Sequence, residues 1–208
     1  MTLAIGILVS NRGSNLEAIL NAIDSNYIRN AEVKVVISNR DGIQALKIAE
    51  EHQVKKVVID RQPEFNDKKE YDKKILEVLE QNDVRKNEGL VLLAGYDMIL
   101  SHQFCREFDG RIMNVHPTLL PSFKGRDGQR QALEYGVKIS GASVHFVVPK
   151  IDSGPIIIQE AVPVLNNDTV KSLAARILAK EHEIYPEAVR LFAEGRIHIE
   201  NERVKILN

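Results

Sequence analysis

Short apolar runs recur along most of the chain and predict buried strands. The first, Leu3–Val9, reads LAIGILV, and its length fits a strand better than a helix. Similar runs predict strands at Val33–Ile37, Lys56–Ile59, Leu90–Ala94, Arg111–Val115, Ser143–Val148 and Pro155–Gln159. Nearly continuous apolar strands are typical of a parallel sheet that is covered by helices on both faces.

Stretches with apolar residues at helical spacing separate these strands. The predicted helices begin near Leu16 and then comprise Ile43–His52, Lys68–Gln81, a short segment around Cys105, Gly128–Tyr135 and Thr169–Ala193. Pro186 is expected to kink or divide the last helix. The tail, Gly195–Leu207, is predicted to be a small hairpin around Asn201-Glu202. Repeated strand–helix–strand units predict an α/β protein with a single Rossmann-like domain over residues 1–208 and a mostly parallel central sheet.

Three polar loops follow predicted strands: Ser10–Asn15, Gly95–Leu100 and Asn114–Gly125. In parallel sheets, ligands bind beyond the carboxyl ends of the strands, so these loops predict one active site. The first loop joins a strand to a helix, an arrangement that offers free N–H groups to an anion. Two interpretations of it stay open: Ser14 and Asn15 bind an anion, or one of them only caps the helix.

Asn114 and His116 are two residues apart at the end of a strand, so both side chains point to the same side. An amide can hydrogen-bond an oxyanion, and an imidazole can move a proton near neutral pH. Singly, Asn114 is more often a turn cap and His116 a structural histidine. The pair in this loop favours carbonyl chemistry. Asp152 lies between Gly and Pro residues and is either a turn former or the partner of His116.

Composition narrows the possible functions. The chain has 208 residues and a net charge of −1, which argues against nucleic-acid binding. Cys105 is the only cysteine, which excludes an intramolecular disulfide and a cysteine-based metal cluster. No apolar run is long enough for a signal peptide or a membrane span, and we therefore expect a soluble, cytoplasmic protein without membrane partners. His145 is expected to be a structural histidine. Taken alone, Glu181 and His182 are expected to form a solvated charged pair.

Several motifs in fixed order resemble the phosphoribosylglycinamide formyltransferase family of folate-dependent enzymes. They are Gly13-Ser14-Asn15-Leu16, Ser38-Asn39-Arg40, Leu93-Ala94-Gly95-Tyr96, the block from Asn114 to Gly125, Ser143–Val147, Asp152-x-Gly154-Pro155 and Glu181-His182-x-Ile184-Tyr185-Pro186. The block from Asn114 to Gly125 with Asp152 is specific for enzymes that use 10-formyltetrahydrofolate. The Gly-Ser-Asn loop and the Glu-His motif narrow the resemblance to the glycinamide ribonucleotide branch.

The resemblance implies a site for each part of two small-molecule substrates. The implied catalytic residues are Asn114, His116 and Asp152. Glycinamide ribonucleotide would be bound by Gly13, Ser14, Asn15 and Glu181, of which the first three hold its phosphate. The co-substrate 10-formyltetrahydrofolate would contact Lys68, Asp97, Met98, Ile99, Leu100, Asn114, Val148, Ile151 and Asp152. The N-terminal half would thus bind phosphate and substrate, and the C-terminal half would bind folate and carry catalysis.

In the implied reaction, the glycinamide amine attacks the formyl carbon, Asn114 and protonated His116 stabilise the oxyanion, and Asp152 assists proton transfer. No metal is expected, and the chain is expected to be a monomer or a homodimer. Formyltetrahydrofolate hydrolase is the main alternative, followed by methionyl-tRNA formyltransferase and a nucleotide-binding module without catalysis. Arg12, Lys68 and Arg126-Asp127-Gly128 depart from the family pattern.

Overall fold

The computed structural model describes residues 2–60 and 68–207, and strands and helices alternate over most of this part. In chain order the elements are β1 (Leu3–Val9), α1 (Ser14–Asp24), β2 (Ala31–Ser38), α2 (Gln44–Glu51), β3 (Lys56–Val58), α3 (Lys68–Gln81), β4 (Leu90–Leu93), α4 (His102–Glu107) and β5 (Ile112–His116). They continue with α5 (Gly128–Tyr135), β6 (Ile139–Phe146), β7 (Ile156–Pro163), α6 (Val170–Ala193), β8 (Ile197–Glu200) and β9 (Arg203–Ile206).

The main sheet has seven strands in the order β3-β2-β1-β4-β5-β6-β7. Strands β1 to β5 run parallel to one another, whereas β6 is antiparallel to β5 and β7 is antiparallel to β6. The predicted mostly parallel sheet of an α/β fold is therefore confirmed. The order reverses at β1, which pairs with β2 on one side and β4 on the other, so the switch point lies between β1 and β4.

Both faces of the sheet are buried because side chains alternate along each strand. In β1, Ile5, Ile7 and Val9 belong to a core cluster with residues of α1, α2 and α6, while Leu8 belongs to a second cluster with residues of α3 and α4. Helices thus cover both faces, as the continuous apolar strands predict.

Of the two outcomes predicted for Pro186, a kink or a division of the last helix, the division is wrong. Helix α6 runs without interruption over Val170–Ala193. Tyr185 is fully buried beside the proline, and its hydroxyl group donates to the carbonyl oxygen of Met113 at 2.9 Å. Proline removes one helical hydrogen bond, and packing of the flanking turns against the sheet outweighs that loss. The tail forms the predicted hairpin, β8–β9, with positive φ angles at Asn201 and Glu202.

The last two strands of the main sheet have different limits from those that the sequence predicts. Strand β6 begins at Ile139 instead of Ser143 and ends at Phe146, so Val148 lies outside it. Strand β7 extends to Pro163. The sequence pattern of β6 is interrupted by Gly141, which has no side chain to indicate a strand. Glycine is required at this position because a Cβ would lie 2.0 Å from the carbonyl oxygen of Glu160.

Candidate active site

The loops that follow β1, β2 and β4 meet at the carboxyl edge of the sheet. The N–H group of Asp97, after β4, donates to the Ser10 hydroxyl, after β1, at 3.0 Å. The Asn39 side chain, after β2, donates to the Asp97 carboxylate at 2.9 Å. Two of the three predicted loops, those after β1 and β4, thus meet at the switch point, where α/β proteins bind ligands.

His116 and Asp152 lie in contact where β5 ends. The Nδ1 atom of His116 is 3.4 Å from an Asp152 carboxylate oxygen, and the histidine is 4% exposed. Its Nε2 atom is 2.9 Å from the carbonyl oxygen of Phe123. A carbonyl can only accept, so Nε2 carries a hydrogen, and Nδ1 is the nitrogen that shares or exchanges a proton on the side of Asp152.

Asn114 pairs across the sheet with His145, a residue that the sequence analysis assigns a structural role. The Nδ1 atom of His145 donates to the carbonyl oxygen of Phe146 at 2.9 Å, and its Nε2 lies 3.3 Å from the amide nitrogen of Asn114. Burial lowers the pKa of His145, which favours the neutral ring that accepts from this amide. The amide nitrogen carries two hydrogens, so a second donor remains for a substrate oxygen.

The sequence gives no direct signal for this role of His145. The side chain enters the site because β5 and β6 are antiparallel and place Asn114 opposite His145. The same imidazole lies 3.6 Å from Asp152, so one histidine contacts two of the three predicted catalytic residues. Predicting this register would require the order and direction of the strands, which one sequence pattern does not specify.

Asp152 is held in place by the neighbouring loop that follows β5. Its carboxylate accepts a hydrogen bond of 2.8 Å from the N–H group of Gly125. Its φ angle is +44°, a conformation that aspartate tolerates better than most residues. The Lys124 ammonium donates to the hydroxyl group of Ser153 at 2.6 Å. These two contacts join the loop after β5 to the β6–β7 connection and fix Asp152 beside His116.

Side chains from β6 and β7 brace the loop that follows His116. The Ser143 hydroxyl donates to the carbonyl oxygen of Thr118 at 2.7 Å and accepts from the N–H group of Leu120 at 3.0 Å. Gln159 donates to the carbonyl oxygen of Leu120 at 2.9 Å. The antiparallel part of the sheet therefore supports the loop after β5 as well as supplying His145.

The loop before α1 presents uncapped backbone N–H groups. Gly13 occupies the N-cap position with φ +80°, and no side chain caps the helix. The alternative in which Ser14 or Asn15 caps α1 is therefore wrong. A Cβ at Gly13 would lie 2.7 Å from the Cα of Ala45, so α2 approaches this loop too closely for a larger residue. The positive end of α1 and its free N–H groups suit an anion.

Glu181, on α6, contacts the first turn of α1. It is 7% exposed, and its carboxylate accepts a hydrogen bond of 2.8 Å from the side chain of Asn15. Burial raises the pKa of Glu181, and the bond from Asn15 partly opposes that shift. The interpretation of Glu181 as part of a solvated pair is thus wrong. Three of the four residues predicted to bind the ribonucleotide are consecutive in the chain, and the fourth contacts one of them.

Most of the residues predicted to bind the folate lie on two loops at this edge. The Asp97 carboxylate accepts hydrogen bonds from Asn39 and from Arg40, the latter at 2.6 Å. In the β6–β7 connection, Val148 is half-buried and Ile151 is exposed, close in sequence to Asp152. The ammonium group of Lys68, at the start of α3, donates to the carbonyl oxygen of Leu100 at 2.9 Å. A cleft of about 360 Å³ opens beside these loops and is lined by Asn39, Arg40, Asp60, Asp97, Met98 and Arg126.

A family model described as formyl transferase matches residues 3–189. The chain belongs to the formyl transferase family. It is 36% identical to the phosphoribosylglycinamide formyltransferase of Escherichia coli over 191 residues, which cover 92% of this chain and 87% of that protein. The crystal structure of glycinamide ribonucleotide transformylase 1 from Symbiobacterium toebii superposes with a TM-score of 0.94 at 46% identity, covering 100% of this chain and 95% of the other.

A longer relative also matches this formyl transferase chain. It is 40% identical to the trifunctional purine biosynthetic protein adenosine-3 of Gallus gallus over 195 residues, which cover 94% of this chain. The match spans 19% of that protein, about one fifth of its length. Within residues 2–60 and 68–207, no helix has the length and apolar character needed to cross a membrane.

Proposed function

We propose that the chain transfers the formyl group of 10-formyltetrahydrofolate to the amine of glycinamide ribonucleotide, as a step in purine synthesis. The products are formylglycinamide ribonucleotide and tetrahydrofolate. The observation that carries this proposal is the contact of His116 with Asp152 beside Asn114 at the carboxyl edge of the sheet. The names of the E. coli and S. toebii relatives support the choice of substrate.

The ribonucleotide is proposed to bind at the loop before α1. Its phosphate would accept hydrogen bonds from the N–H groups of Ser14 and Asn15 and lie at the positive end of the helix. Glu181 would accept hydrogen bonds from the ribose hydroxyl groups, and its contact with Asn15 keeps the two parts of this site together. Anchoring the phosphate would hold the glycinamide amine near His116, which lowers the entropic barrier to attack.

The folate is proposed to bind between the Asp97–Leu100 segment and the β6–β7 connection. Met98, Ile99 and Leu100 come from the first of these, and Val148, Ile151 and Asp152 from the second. Ile99 and Ile151 are 55% and 47% exposed, which is high for isoleucine and suits contact with a flat aromatic ligand. Asn114 contacts His145, which lies 3.6 Å from Asp152, so the formyl group would be placed beside these residues.

In the proposed reaction, the amine nitrogen forms a bond to the formyl carbon, and the carbonyl oxygen becomes an oxyanion. The free N–H of Asn114 and a protonated His116 stabilise that oxygen. The bond between the formyl carbon and N10 of the folate then breaks. A proton leaves the attacking nitrogen and N10 gains one, with Asp152 and His116 carrying the transfer. These steps use no covalent enzyme intermediate.

The test is release of tetrahydrofolate from 10-formyltetrahydrofolate, measured with and without glycinamide ribonucleotide. Turnover that requires the ribonucleotide supports the proposal, and an Asn114→Ala variant should reduce it strongly. Equal turnover in both conditions would identify water as the acceptor and make the chain a hydrolase. The monomeric or homodimeric state and a cytoplasmic location stay predictions.

A further inference from the structure

Two side chains of helix α3 bind the peptide group between Leu100 and Ser101, at the end of the Asp97–Leu100 segment. The ammonium group of Lys68 donates to the carbonyl oxygen of Leu100 at 2.9 Å. The N–H group of Ser101 donates to the carboxylate of Asp72 at 2.6 Å. The Leu100 carbonyl and the Ser101 N–H belong to the same peptide unit, so a cation fixes its oxygen and an anion fixes its hydrogen.

The helix places these two side chains for this contact. Lys68 and Asp72 are four residues apart and therefore lie on the same face of α3. The face continues into the core through Tyr71 and Ile75. Asp72 is only 3% exposed, and burial raises its pKa. Burying a carboxylate costs free energy unless it is hydrogen-bonded, and the bond from Ser101 meets that requirement.

The other end of the same loop is fixed by different side chains. Asp97 donates its N–H to Ser10, and its carboxylate accepts from Asn39 and Arg40. Between these two fixed ends, Ile99 is 55% exposed. The N–H groups of Met98, Ile99 and Leu100 make no hydrogen bond to the described residues. Polar contacts thus hold the segment at its two ends, while its middle offers an apolar side chain.

We propose that Lys68 and Asp72 are positioning residues that hold Asp97–Leu100 in the conformation that binds the folate. This inference rests on the proposed function. Lys68 then acts on the folate through the Leu100 carbonyl rather than by touching it. A loop that is already ordered loses less entropy when the ligand binds, so loss of either contact weakens folate binding and leaves the chemical step intact.

The experiment is steady-state kinetics of the full chain, varying one substrate while the other is saturating. Lys68→Met should raise the KM for 10-formyltetrahydrofolate by about tenfold, with kcat and the KM for glycinamide ribonucleotide within about twofold of wild type. Lys68→Arg should restore most of the loss, because a guanidinium can donate to the same carbonyl. Lys74→Met, an exposed lysine on the same helix, is the matched control and should change none of these values.

Variants of Asp72 provide a second test. Asp72→Ala should raise the same KM, whereas Asp72→Asn keeps an oxygen that accepts from Ser101 and should have a smaller effect. Lys68→Met with Asp72→Ala should raise KM by less than the product of the single effects, because both act on one peptide group. Thermal unfolding of each variant shows whether it is folded, and Asp72→Asn keeps the test decisive if Asp72→Ala does not fold.

Direct contact of Lys68 with the folate is the competing explanation. A lysine would contact the glutamyl carboxylates, so with 10-formyltetrahydropteroate, which lacks the glutamate, the effect of Lys68→Met should vanish. Positioning predicts the same fold increase with both compounds. An unchanged KM, an equal rise in both substrates' KM values, or loss of the effect with the pteroate would overturn the inference. Absence of ribonucleotide-dependent transfer by the wild type would instead reject the proposed function.

Discussion

The side chain of Asn15 donates a hydrogen bond of 2.8 Å to the carboxylate of Glu181, although the two residues are 166 positions apart in the chain. The contact joins the first turn of α1 to the middle of α6. Both residues are more than nine-tenths buried. The end of α1 proposed to bind the phosphate and the carboxylate proposed to bind ribose hydroxyls are therefore joined directly by this hydrogen bond.

Replacing Glu181 with glutamine should change how stability depends on pH. Burial raises the pKa of Glu181 above its ordinary 4.5, so in the interval above 4.5 the folded state holds a proton that the unfolded state has lost. The wild-type free energy of unfolding should therefore fall as pH rises through that interval, by at most about 1.4 kcal/mol per pH unit from this group. Glu181→Gln should remove this contribution, as measured by urea unfolding between pH 4.5 and 7.

Glu187, on the same helix, has a pKa shift of the opposite sign. Hydrogen bonding from Arg190 lowers the pKa of Glu187, so its contribution to stability is present above the ordinary value and is lost as pH falls below it. Glu187→Gln should therefore remove part of the fall in the free energy of unfolding that the wild type shows as pH drops below about 4.5. If both variants altered the same interval, the assignment of the Glu181 effect to burial would be wrong.

Substitution of Gly13 by alanine should impair ribonucleotide binding. The new Cβ would lie 2.7 Å from the Cα of Ala45, and the φ angle of +80° adds strain. The loop must shift to relieve the contact, which moves the N–H groups of α1. We expect the KM for glycinamide ribonucleotide to rise by about tenfold or more, with a smaller change in the KM for the folate.

Gly136→Ala separates strain from the steric contact. Gly136 has φ +82°, but a Cβ there would meet no atom within 4 Å. Gly136→Ala should cost about 1–2 kcal/mol of stability through its left-handed backbone conformation and leave both KM values unchanged. Equal kinetic behaviour of the two variants would show that the approach of α2 to Gly13 has no part in substrate binding.

His116→Ala should reduce kcat by about 10²–10⁴-fold while both KM values stay within a few-fold of wild type. The reason is that the imidazole contacts Asp152 and Phe123 and is proposed to act on the reacting oxygen and proton. Steady-state rates with each substrate varied in turn measure the effect. His198→Ala, on the exposed strand β8, is the control and should retain full activity. A proportional loss of binding and turnover would contradict a role in the chemical step.

The sequence predicts the parts of the fold that depend on local pattern. Leu3–Val9 and Lys68–Gln81 match their predicted limits because continuous apolar runs and helical spacing are local properties. The start of β6 was not predictable, because Gly141 is required by the close approach of Glu160 in the neighbouring strand. The effect of Pro186 was likewise decided by tertiary packing around Tyr185.

The candidate site divides in the same way. Asn114 and His116 could be found because they are two residues apart on one strand, and Gly13–Asn15 because they are consecutive. His145 could not, since it reaches Asn114 only through the antiparallel register of β5 and β6. The engagement of Lys68 with the Leu100 carbonyl also depends on how α3 packs against a distant loop. These roles depend on contacts between different elements, so the residue pattern within one element cannot predict them.

The neutral ring of His145 leads to the last prediction. The ring accepts from Asn114 through Nε2, so it orients the amide whose second N–H is proposed to stabilise the oxyanion. His145→Ala should lower kcat by about tenfold with little change in either KM, since only the direction of one donor is lost. His145→Gln can place an oxygen near the same nitrogen and should recover part of the activity.

The pH profile of the same variants tests the protonation state. Burial lowers the pKa of His145 from 6.5, so the folded protein keeps the neutral ring down to a pH below that value. Protonation at lower pH would remove the lone pair that accepts from Asn114 and should reduce wild-type kcat. Glutamine does not titrate, so the ratio of wild-type to His145→Gln kcat should fall as pH drops through the lowered pKa. A ratio that is constant with pH would show that the neutral ring of His145 does not set the orientation of Asn114.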